Sequence, residues 1–257
     1  MHQWGPACHR WRIGRVKRIY IGTSGWHYEH WLGTFYPARL SASRMLSFYL
    51  EHFNTVELNN SFYRLPSEKA LDTWRESTPP NFLFAMKGSR FLTHMKKLKD
   101  PGPGLEKFFA RADRLGEKLG PVVFQLPPNW PLNIERLQTF LKALPRHHRY
   151  AFEFRNPSWN TPDVYALLRA HHVAYCIFEI AGFQSPIEVT ADFVYVRLHG
   201  PGGKYQGSYD DAILQRWADW IGSVQSSSVY FYFDNDEAGY APKNALRLKK
   251  ILGVREL

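Results

Sequence analysis

The sequence predicts an α/β protein built as a single-domain (β/α)8 (TIM) barrel. Three observations support this prediction. From Ile19 onward, short runs of β-branched and aromatic residues alternate with stretches of helical periodicity, and eight such runs are present. No stretch rich in Pro, Gly or Ser divides the 257-residue chain into separate domains. Eight strands, nearly all followed by a helix, fit a closed barrel of parallel strands better than an open sheet.

The predicted strands are the runs in which apolar, β-branched and aromatic residues concentrate. In chain order they cover residues 19–24, 55–59, 82–87, 122–126, 150–155, 174–179, 193–199 and 229–234. The predicted helices show apolar residues at three- and four-residue spacing. They cover residues 42–52, 68–77, 104–119, 134–144, 162–171, 210–223 and 242–252. The segment 180–192 carries no clear helix.

Charge is unevenly distributed along the chain. There are 33 Lys and Arg against 23 Asp and Glu, which gives a formal net charge of +10. Half of this excess lies in residues 1–18, which contain five cations and no acid. We expect residues 1–18 to be a basic, disordered extension and residues 19–257 to form the barrel domain.

Composition excludes several classes of protein. Hydrophobic residues make up 44% of the chain, which excludes intrinsic disorder. No run of about 18 apolar residues occurs, so we expect no membrane-spanning helix. Cys8 and Cys176 are the only cysteines, which excludes a disulfide framework and is typical of the reducing cytoplasm.

Strand parity predicts where polar side chains meet. In the strand 150–155, Glu153 and Arg155 share one face and the aromatic residues share the other. Outward faces pack under helices, so the polar face points into the barrel, and its charged residues lie at the strand carboxyl ends where barrel enzymes build active sites. The residues expected to converge there are Glu57, Lys87, Gln125, Glu153, Arg155, Arg197, His199 and Asp234.

This polar set has two interpretations. A buried, satisfied ion-pair network is one. The other is a ligand site, which explains better the cost of desolvating so many charges. In the second, Glu57 or Glu153 is the general base, His199 is the proton shuttle, and Lys87 with Arg197 holds an anion.

Other candidate ligand contacts lie in the predicted loops around this set. Trp26, Tyr63, Trp159 and Tyr205 follow predicted strands, where aromatic rings stack on a sugar or a base, and Asn59 ends the predicted strand 55–59 on the same face as Glu57. Each aromatic residue on its own is also explained as a packing residue.

The loop after the third strand is strongly basic. Arg90, Lys96, Lys97 and Lys99 follow Lys87 within thirteen residues. A solvated basic helix is the ordinary explanation of such a run. Its position beside the polar set predicts contact with a polyanion such as single-stranded nucleic acid.

Spacing argues against several chemistries. A retaining glycosidase needs two carboxylates at the ends of the fourth and seventh strands, but these strands end in Gln125 and in Arg197 with His199. We expect no metal, because His199 is the single well-placed histidine, and no cofactor. A hydrolase or isomerase that works without a metal remains open.

Several ordered motifs resemble one known family. They are Gly22-Thr23-Ser24-Gly25-Trp26, Glu57-Leu58-Asn59-Asn60-Ser61-Phe62-Tyr63, Phe124-Gln125-Leu126-Pro127-Pro128, Glu153-Phe154-Arg155-Asn156-Pro157-Ser158-Trp159, Tyr195-Val196-Arg197-Leu198-His199-Gly200 and Asn244-Ala245. Together they resemble the domain of unknown function 72 (YecE-like) family. The resemblance implies a TIM barrel and places Glu57, Lys87, Glu153, Arg197 and His199 at characteristic positions. The family usually has Asn-Asn after the last strand, whereas this chain has Asp234-Asn235.

The resemblance implies no reaction, so two functions stay open. The first is an enzyme that acts on a phosphorylated or nucleic-acid-derived ligand. A distant likeness to the barrel superfamily of endonuclease IV and xylose isomerase favours a phosphate-bearing or sugar-bearing ligand, by fold analogy alone. The second is a non-catalytic module that binds single-stranded nucleic acid through the basic loop 87–99 and the rim aromatics.

Overall fold

The computed structural model of the protein describes residues 17–254. Its strands are β1 (Arg18–Thr23), β2 (Thr55–Leu58), β3 (Leu83–Lys87), β4 (Leu119–Leu126), β5 (Tyr150–Phe154), β6 (Ala174–Ile180), β7 (Phe183–Gln184), β8 (Phe193–Leu198) and β9 (Ser228–Phe233). The strand order is β1-β9-β8-β6-β5-β4-β3-β2, and β7 pairs antiparallel with β6 alone. Apart from β7, the described strands form the eight parallel strands of a (β/α)8 barrel, as predicted.

Seven α-helices alternate with these strands in the described chain. They are α1 (Met45–Leu50), α2 (Glu68–Ser77), α3 (Pro101–Ala112), α4 (Ile134–Ala143), α5 (Pro162–Ala170), α6 (Asp211–Ser223) and α7 (Tyr240–Ile251). Four of them begin at a side-chain cap, in which the oxygen of Ser67, Asn133, Thr161 or Asp210 accepts a backbone N–H three residues later.

Two helix predictions differ from the structure. The predicted helix 104–119 begins earlier, at Pro101, and its α-helical part ends at Ala112. Proline is tolerated in a first helical turn, where its missing N–H costs nothing. A 3-10 turn, Asp113–Lys118, follows, and the left-handed φ of 56° at Gly116 prevents a regular helix from continuing. The predicted helix 42–52 is a 3-10 turn, Ala42–Arg44, followed by the short α1.

The chain divides into two compact units. One comprises the described parts of Met1–Val56 and Ile177–Leu257, and we call it the terminal unit. The other is Glu57–Cys176, the central unit. Each unit is described separately below.

Each unit has its own aromatic core, and both cores confirm the predicted strand parity. In the central unit, the rings of Phe124 in β4 and Phe152 in β5 lie 5.0 and 5.9 Å from Phe140 of α4. In the terminal unit, Phe231 of β9 lies 5.4 Å from Trp217 of α6. These aromatic faces pack under helices, which leaves the alternate residues of each strand for the polar face.

The sequence predicts a basic extension at the N-terminus and a segment without a helix at 180–192. Residues 1–16, most of the predicted basic extension, lie outside the described residues. Lys17 is described, and its Nζ donates to the carbonyl of Ile221 at 2.5 Å. As predicted, the described segment 180–192 holds no helix and contributes only β7. No helix among residues 17–254 is long and apolar enough to cross a membrane.

Candidate functional site

Lys87 is held at the end of β3 by contacts within the central unit. Its side chain is buried, and its Nζ lies 4.6 Å from the centroid of the Phe62 ring. The Ser61 hydroxyl lies 2.9 Å from the carbonyl of Leu58 and 2.6 Å from that of Lys87. The loop after β2 is thereby fixed against the end of β3, and the ammonium group is placed over an aromatic face, which favours a cation.

Glu153 and Arg155 form an ion pair at the end of β5. Glu153 is fully buried, and its Oε1 accepts a hydrogen bond from Nε of Arg155. The thiol of Cys176 lies 3.9 Å from the other carboxylate oxygen. Gln125 is the register partner of Glu153 on β4 and is half-buried. Arg155 keeps 10% of its side chain exposed, whereas the Glu153 side chain has no exposed surface.

His94 lies close to three cationic side chains. It belongs to a π-helical turn, Phe91–Met95, that follows β3. Its Nδ1 lies 2.9 Å from the Thr93 hydroxyl, and its ring meets Phe62 edge-on at 4.9 Å. Burial lowers the pKa of His94, and the charges of Lys87, Arg90 and Arg155 lower it further.

These effects give His94 a defined chemical state. With its pKa below the ordinary 6.5, the ring is neutral at pH 7. Within residues 17–254 its Nε2 makes no hydrogen bond, whereas Nδ1 is occupied by Thr93. A half-buried neutral imidazole in a positive potential is able to accept a proton from a bound molecule. His94 lies within the basic loop 87–99 but is not among the site residues predicted from the sequence.

The basic loop does not form the solvated helix that is the ordinary explanation of such a run. After the π-helical turn, Lys97, Leu98 and Asp100 adopt left-handed φ angles of 48°, 63° and 45°. Lys96 and Lys99 are exposed, and Lys97 is half-buried. Because residues other than glycine avoid this conformation, the loop is an ordered, tightly turned surface.

Exposed apolar side chains accompany these cations. Tyr63 is 74% exposed, Phe91 44% and Met95 67%. The guanidinium carbon of Arg90 lies 5.9 Å from the Tyr63 ring centroid, and Nζ of Lys96 lies 6.0 Å from that of Phe91. We call the surface formed by Tyr63, Arg90, Phe91, Met95 and Lys96 the rim patch. It combines stacking surfaces with positive charge.

A second polar group lies in the terminal unit, at the ends of β8 and β9. Nδ1 of His199 lies 2.9 Å from Oδ2 of Asp234, and Nη2 of Arg197 lies 3.3 Å from the same oxygen. Nη1 of Arg197 is 3.4 Å from Nε2 of His199. Because a guanidinium only donates, this arrangement assigns the proton to Nδ1, which donates to Asp234. Arg197 and His199 have no exposed surface, whereas 12% of the Asp234 side chain is exposed.

Asp236, two residues beyond Asp234, is an acid that the sequence analysis missed. Trp31 Nε1 donates to its Oδ1 at 2.5 Å, and His30 Nε2 lies 3.0 Å from its Oδ2. Burial raises the pKa of Asp236 to about 6, and the Asp234 charge adds to this, while Trp31 and His30 oppose it. The signal in the sequence is the acidic pair in Asp234-Asn235-Asp236 directly after the last strand.

Glu179, near the end of β6, was also missed. Burial raises the pKa of its carboxyl, and the charge of Arg216 opposes the shift. Strand parity identifies this residue, because Glu179 ends the predicted strand 174–179 opposite the buried Phe178. It is the same type of signal that predicted Glu57 and Glu153.

Comparison with known proteins identifies the family. The family described as "Protein of unknown function DUF72" matches residues 20–257. The chain belongs to this family. UPF0759 protein YunF of Bacillus subtilis (strain 168) is 26% identical over 274 residues, covering 92% of this chain and 95% of YunF. UPF0759 protein YecE of Escherichia coli (strain K12) is 32% identical over 142 residues, covering 55% of this chain and 50% of YecE.

Solved DUF72 structures share the fold. A crystal structure of a DUF72 family protein from Thermotoga maritima MSB8 is 30% identical, with a TM-score of 0.84, over 92% of this chain and 99% of that one. A DUF72 family protein from Enterococcus faecalis V583 is 19% identical, with a TM-score of 0.76, over 92% and 96% of the two chains. The resemblance predicted from the motifs is therefore confirmed.

Two predicted rim contacts of this DUF72 chain are buried. Trp159 has no exposed surface, donates to the carbonyl of Trp130 at 2.9 Å and stacks on Phe154. Trp26 is 8% exposed. Burial favours the alternative that both are packing residues, and ligand contact by either one stays a prediction. Tyr63 and Tyr205 are exposed, and Asn59 is half-buried.

The predicted catalytic residues of the DUF72 chain are more deeply buried than expected. Glu57, Glu153 and His199 have no exposed surface. The structure brings Glu153 to Arg155 in the central unit, and Arg197 and His199 to Asp234 in the terminal unit. That Glu57, Lys87 and Glu153 meet Arg197 and His199 in one pocket stays a prediction.

Proposed function

We propose that this DUF72 protein is an enzyme that acts on a phosphorylated or nucleic-acid-derived ligand. The observation that carries the proposal is the group of cations around His94, where the Lys87 ammonium and the His94 ring both contact Phe62, at 4.6 and 4.9 Å from its ring centroid. Lys87, Arg90 and Arg155 come from β3, from the loop after it and from the end of β5, and all three lower the pKa of the same histidine. Glu153 pairs with Arg155, and a bound anion would further offset the repulsion among cations collected in a partly buried place.

The same residues supply an acid–base mechanism. Neutral His94 takes a proton from the bound molecule through Nε2, with Nδ1 oriented by Thr93. Lys87 and Arg155 stabilise the negative charge that develops on the anion. This chemistry suits a hydrolase or an isomerase.

The buried side chains of the site orient their less buried partners rather than contact the ligand themselves. Glu153 fixes the guanidinium of Arg155 through its hydrogen bond, which keeps that cation aimed at the ligand. His199 holds Asp234 in the same way in the terminal unit. The roles of Glu57 and Glu153 as general base, and of His199 as proton shuttle, remain predictions from the sequence, and their burial favours positioning roles.

The rim patch supports a nucleic-acid-derived ligand. Exposed Tyr63 and Phe91 offer faces on which a base stacks, and Arg90 and Lys96 lie over those rings. A phosphate bound near Lys87 and Arg155 would leave an attached base within the reach of this patch. A cytoplasmic location belongs to the same proposal, because a chain with only two cysteines is typical of that reducing compartment.

The proposal is tested by the contribution of a single phosphate to binding. Calorimetry compares a short single-stranded oligonucleotide carrying a 5′-phosphate with the same oligonucleotide lacking it. We expect the phosphate to strengthen binding about tenfold or more, and Arg155→Gln to remove most of that gain, because charge-assisted hydrogen bonds contribute about 1.5 to 3 kcal/mol. Arg146→Gln, at an exposed arginine, is the matched control. Equal affinity for both oligonucleotides would refute the anion site.

A non-catalytic nucleic-acid-binding module is the second candidate, favoured by the exposure of the rim patch. His94→Gln separates the two. If the protein is an enzyme, the wild type converts the phosphorylated oligonucleotide to a product detectable by mass spectrometry, and the variant binds within a few-fold but loses turnover. Binding that persists in both proteins without any product identifies the module instead.

A further inference from the structure

A cluster of metal-ligating side chains lies outside the candidate site. Asp113 is the residue at which α3 ends, and His147 and His148 lie in the turn before β5. One ligand atom from each of the three residues lies within 4.8 Å of the other two. All three belong to the central unit, at the end of β5 opposite Glu153.

The spacing of these ligand atoms is close to the spacing found around a bound metal ion. Nε2 of His148 lies 3.0 Å from Oδ1 of Asp113. Two ligand atoms that are each about 2.1 Å from a tetrahedral Zn²⁺ lie roughly 3.4 Å apart, so this pair needs little movement. The rings of His147 and His148 have centroids 3.9 Å apart, and a ligand atom of His147 lies within 4.8 Å of the other two ligand atoms.

The surroundings fix one ligand and favour a cation. The His148 side chain is 12% exposed, and its ring stacks on Phe109 at 4.9 Å, which holds its orientation. Its buried Nε2 makes no hydrogen bond of good geometry in the described part of the chain. Asp113 lies at the carboxyl end of α3, where the helix dipole is negative and stabilises positive charge.

We infer that Asp113, His147 and His148 form a binding site for a divalent transition-metal ion of the zinc type. Two imidazoles with one carboxylate select such ions over Mg²⁺ and Ca²⁺, which prefer oxygen ligands. The sequence-based expectation of no metal considered only His199 and did not evaluate this pair.

The ion would join the end of α3 to the start of β5. These elements are otherwise connected here by the Phe109 stack and by the approach of His148 to Asp113. A metal with ligands on both elements stabilises the folded state by mass action, so the site is structural rather than catalytic.

Calorimetric titration of the EDTA-treated full-length protein with Zn²⁺ tests the inference. All samples carry His2→Gln, Cys8→Ser and His9→Gln, so that the N-terminal residues contribute no ligands. We expect one Zn²⁺ per chain, at least tenfold weaker binding in His148→Asn and in His147→Asn, and little response to Mg²⁺. The matched control is His171→Asn with His172→Asn, which removes the other pair of adjacent histidines.

Thermal unfolding provides a second readout that does not depend on enzyme activity. At a Zn²⁺ concentration about 100 times Kd, we expect the midpoint to rise by roughly 5 °C in the parent and to stay unchanged in His148→Asn. Equal Zn²⁺ affinity in the parent and in His148→Asn, or an equal loss in the 171/172 control, would overturn the inference.

Discussion

At the scale of single residues, burial separates the candidate-site groups with no exposed surface from the partners that stay partly exposed. Glu153 and His199 have no exposed surface, whereas their partners Arg155 and Asp234 expose 10% and 12% of their side chains. A carboxylate that orients a guanidinium and a histidine that orients a carboxylate both fix the direction of a reactive group. We therefore expect substitutions of the buried partners to act through geometry.

Asp236 provides a residue-scale prediction about pH. Its pKa is raised to about 6 in the folded protein, so the folded state binds this proton more tightly than the unfolded state. Its stabilising contribution is full below about pH 4 and is lost as the pH rises through 6. Relative to the wild type, Asp236→Asn should gain about 2 kcal/mol of unfolding free energy between pH 4 and pH 7, after allowance for partial solvent screening.

Urea unfolding of the two proteins at several pH values measures this difference. Asparagine keeps an acceptor for Trp31, so the comparison isolates the charge. A difference in unfolding free energy that does not change between pH 4 and pH 7 would show that Asp236 titrates as an ordinary carboxyl.

Residue-level prediction succeeded where strand periodicity determines the environment. Alternation in 150–155 correctly separated the buried Glu153 from the aromatic face, because side-chain direction in a strand follows from sequence position. It missed His94 and Asp236, whose environments come from loops. Lys87 and Arg155 lie seven and sixty-one positions from His94, and no local pattern encodes that proximity.

At the scale of elements, the loops after the strands carry the special geometry. The loop after β8 turns at Gly200, with φ 110°, and brings the amide of Tyr205 within 2.5 Å of the carbonyl of His199. A Cβ at Gly200 would lie 2.3 Å from the backbone oxygen of Gln206. Only glycine fits this conformation and this contact.

Gly200→Ala should therefore destabilise the protein by about 2 kcal/mol or more, from backbone strain and from displacement of the loop. Gly202→Ala is a control in the same loop, because its added Cβ would meet nothing closer than 4.0 Å and its φ is not left-handed. Chemical unfolding of both variants measures the effect. Equal stability of the two alanine variants would contradict the structure of this loop.

The basic loop gives a second element-scale prediction. Replacing Lys96, Lys97 and Lys99 by Glu should weaken binding of a single-stranded oligonucleotide and reduce the slope of log affinity against log salt by about 2, since each lost phosphate contact removes about 0.7. Replacing the exposed helix lysines Lys69, Lys107 and Lys142 by Glu gives the same change in net charge. Fluorescence anisotropy at several salt concentrations supplies both slopes. If the two triple variants bind alike, net charge alone accounts for the affinity.

Element boundaries were predictable only where local rules act alone. Periodicity predicted α2 with the bounds that the structure has, Glu68–Ser77. The helix predicted over 104–119 failed at its end because one left-handed glycine, Gly116, redirects the chain into β4. Lys97, Leu98 and Asp100, after the π-helical turn, have left-handed φ angles although none of them is glycine. Because glycine is the usual sequence sign of such a conformation, the sequence could not predict this turn.

At the scale of the whole molecule, eight predicted strands that alternate with predicted helices were enough to predict the barrel. Only a few topologies are compatible with parallel strands joined by helices. The same chain order predicts which residues lie at strand carboxyl ends. It does not predict which of them a ligand touches, since that depends on burial by loops. The proposed function depends on one claim. Lys87, Arg90 and Arg155 form an anion-binding site around His94.

The pKa of His94, measured by NMR with and without sulfate, tests that claim most directly. Sulfate stays fully ionised over the titration range, and comparison with His94→Gln identifies the signal among the 11 histidines. Without sulfate, we expect a pKa below the ordinary 6.5, because burial and three cations disfavour the imidazolium. With saturating sulfate, the pKa should rise, because a bound anion stabilises the charged ring, and Arg155→Gln should reduce the rise. A His94 pKa of 6.5 or above without sulfate, or one that sulfate leaves unchanged, would contradict the account.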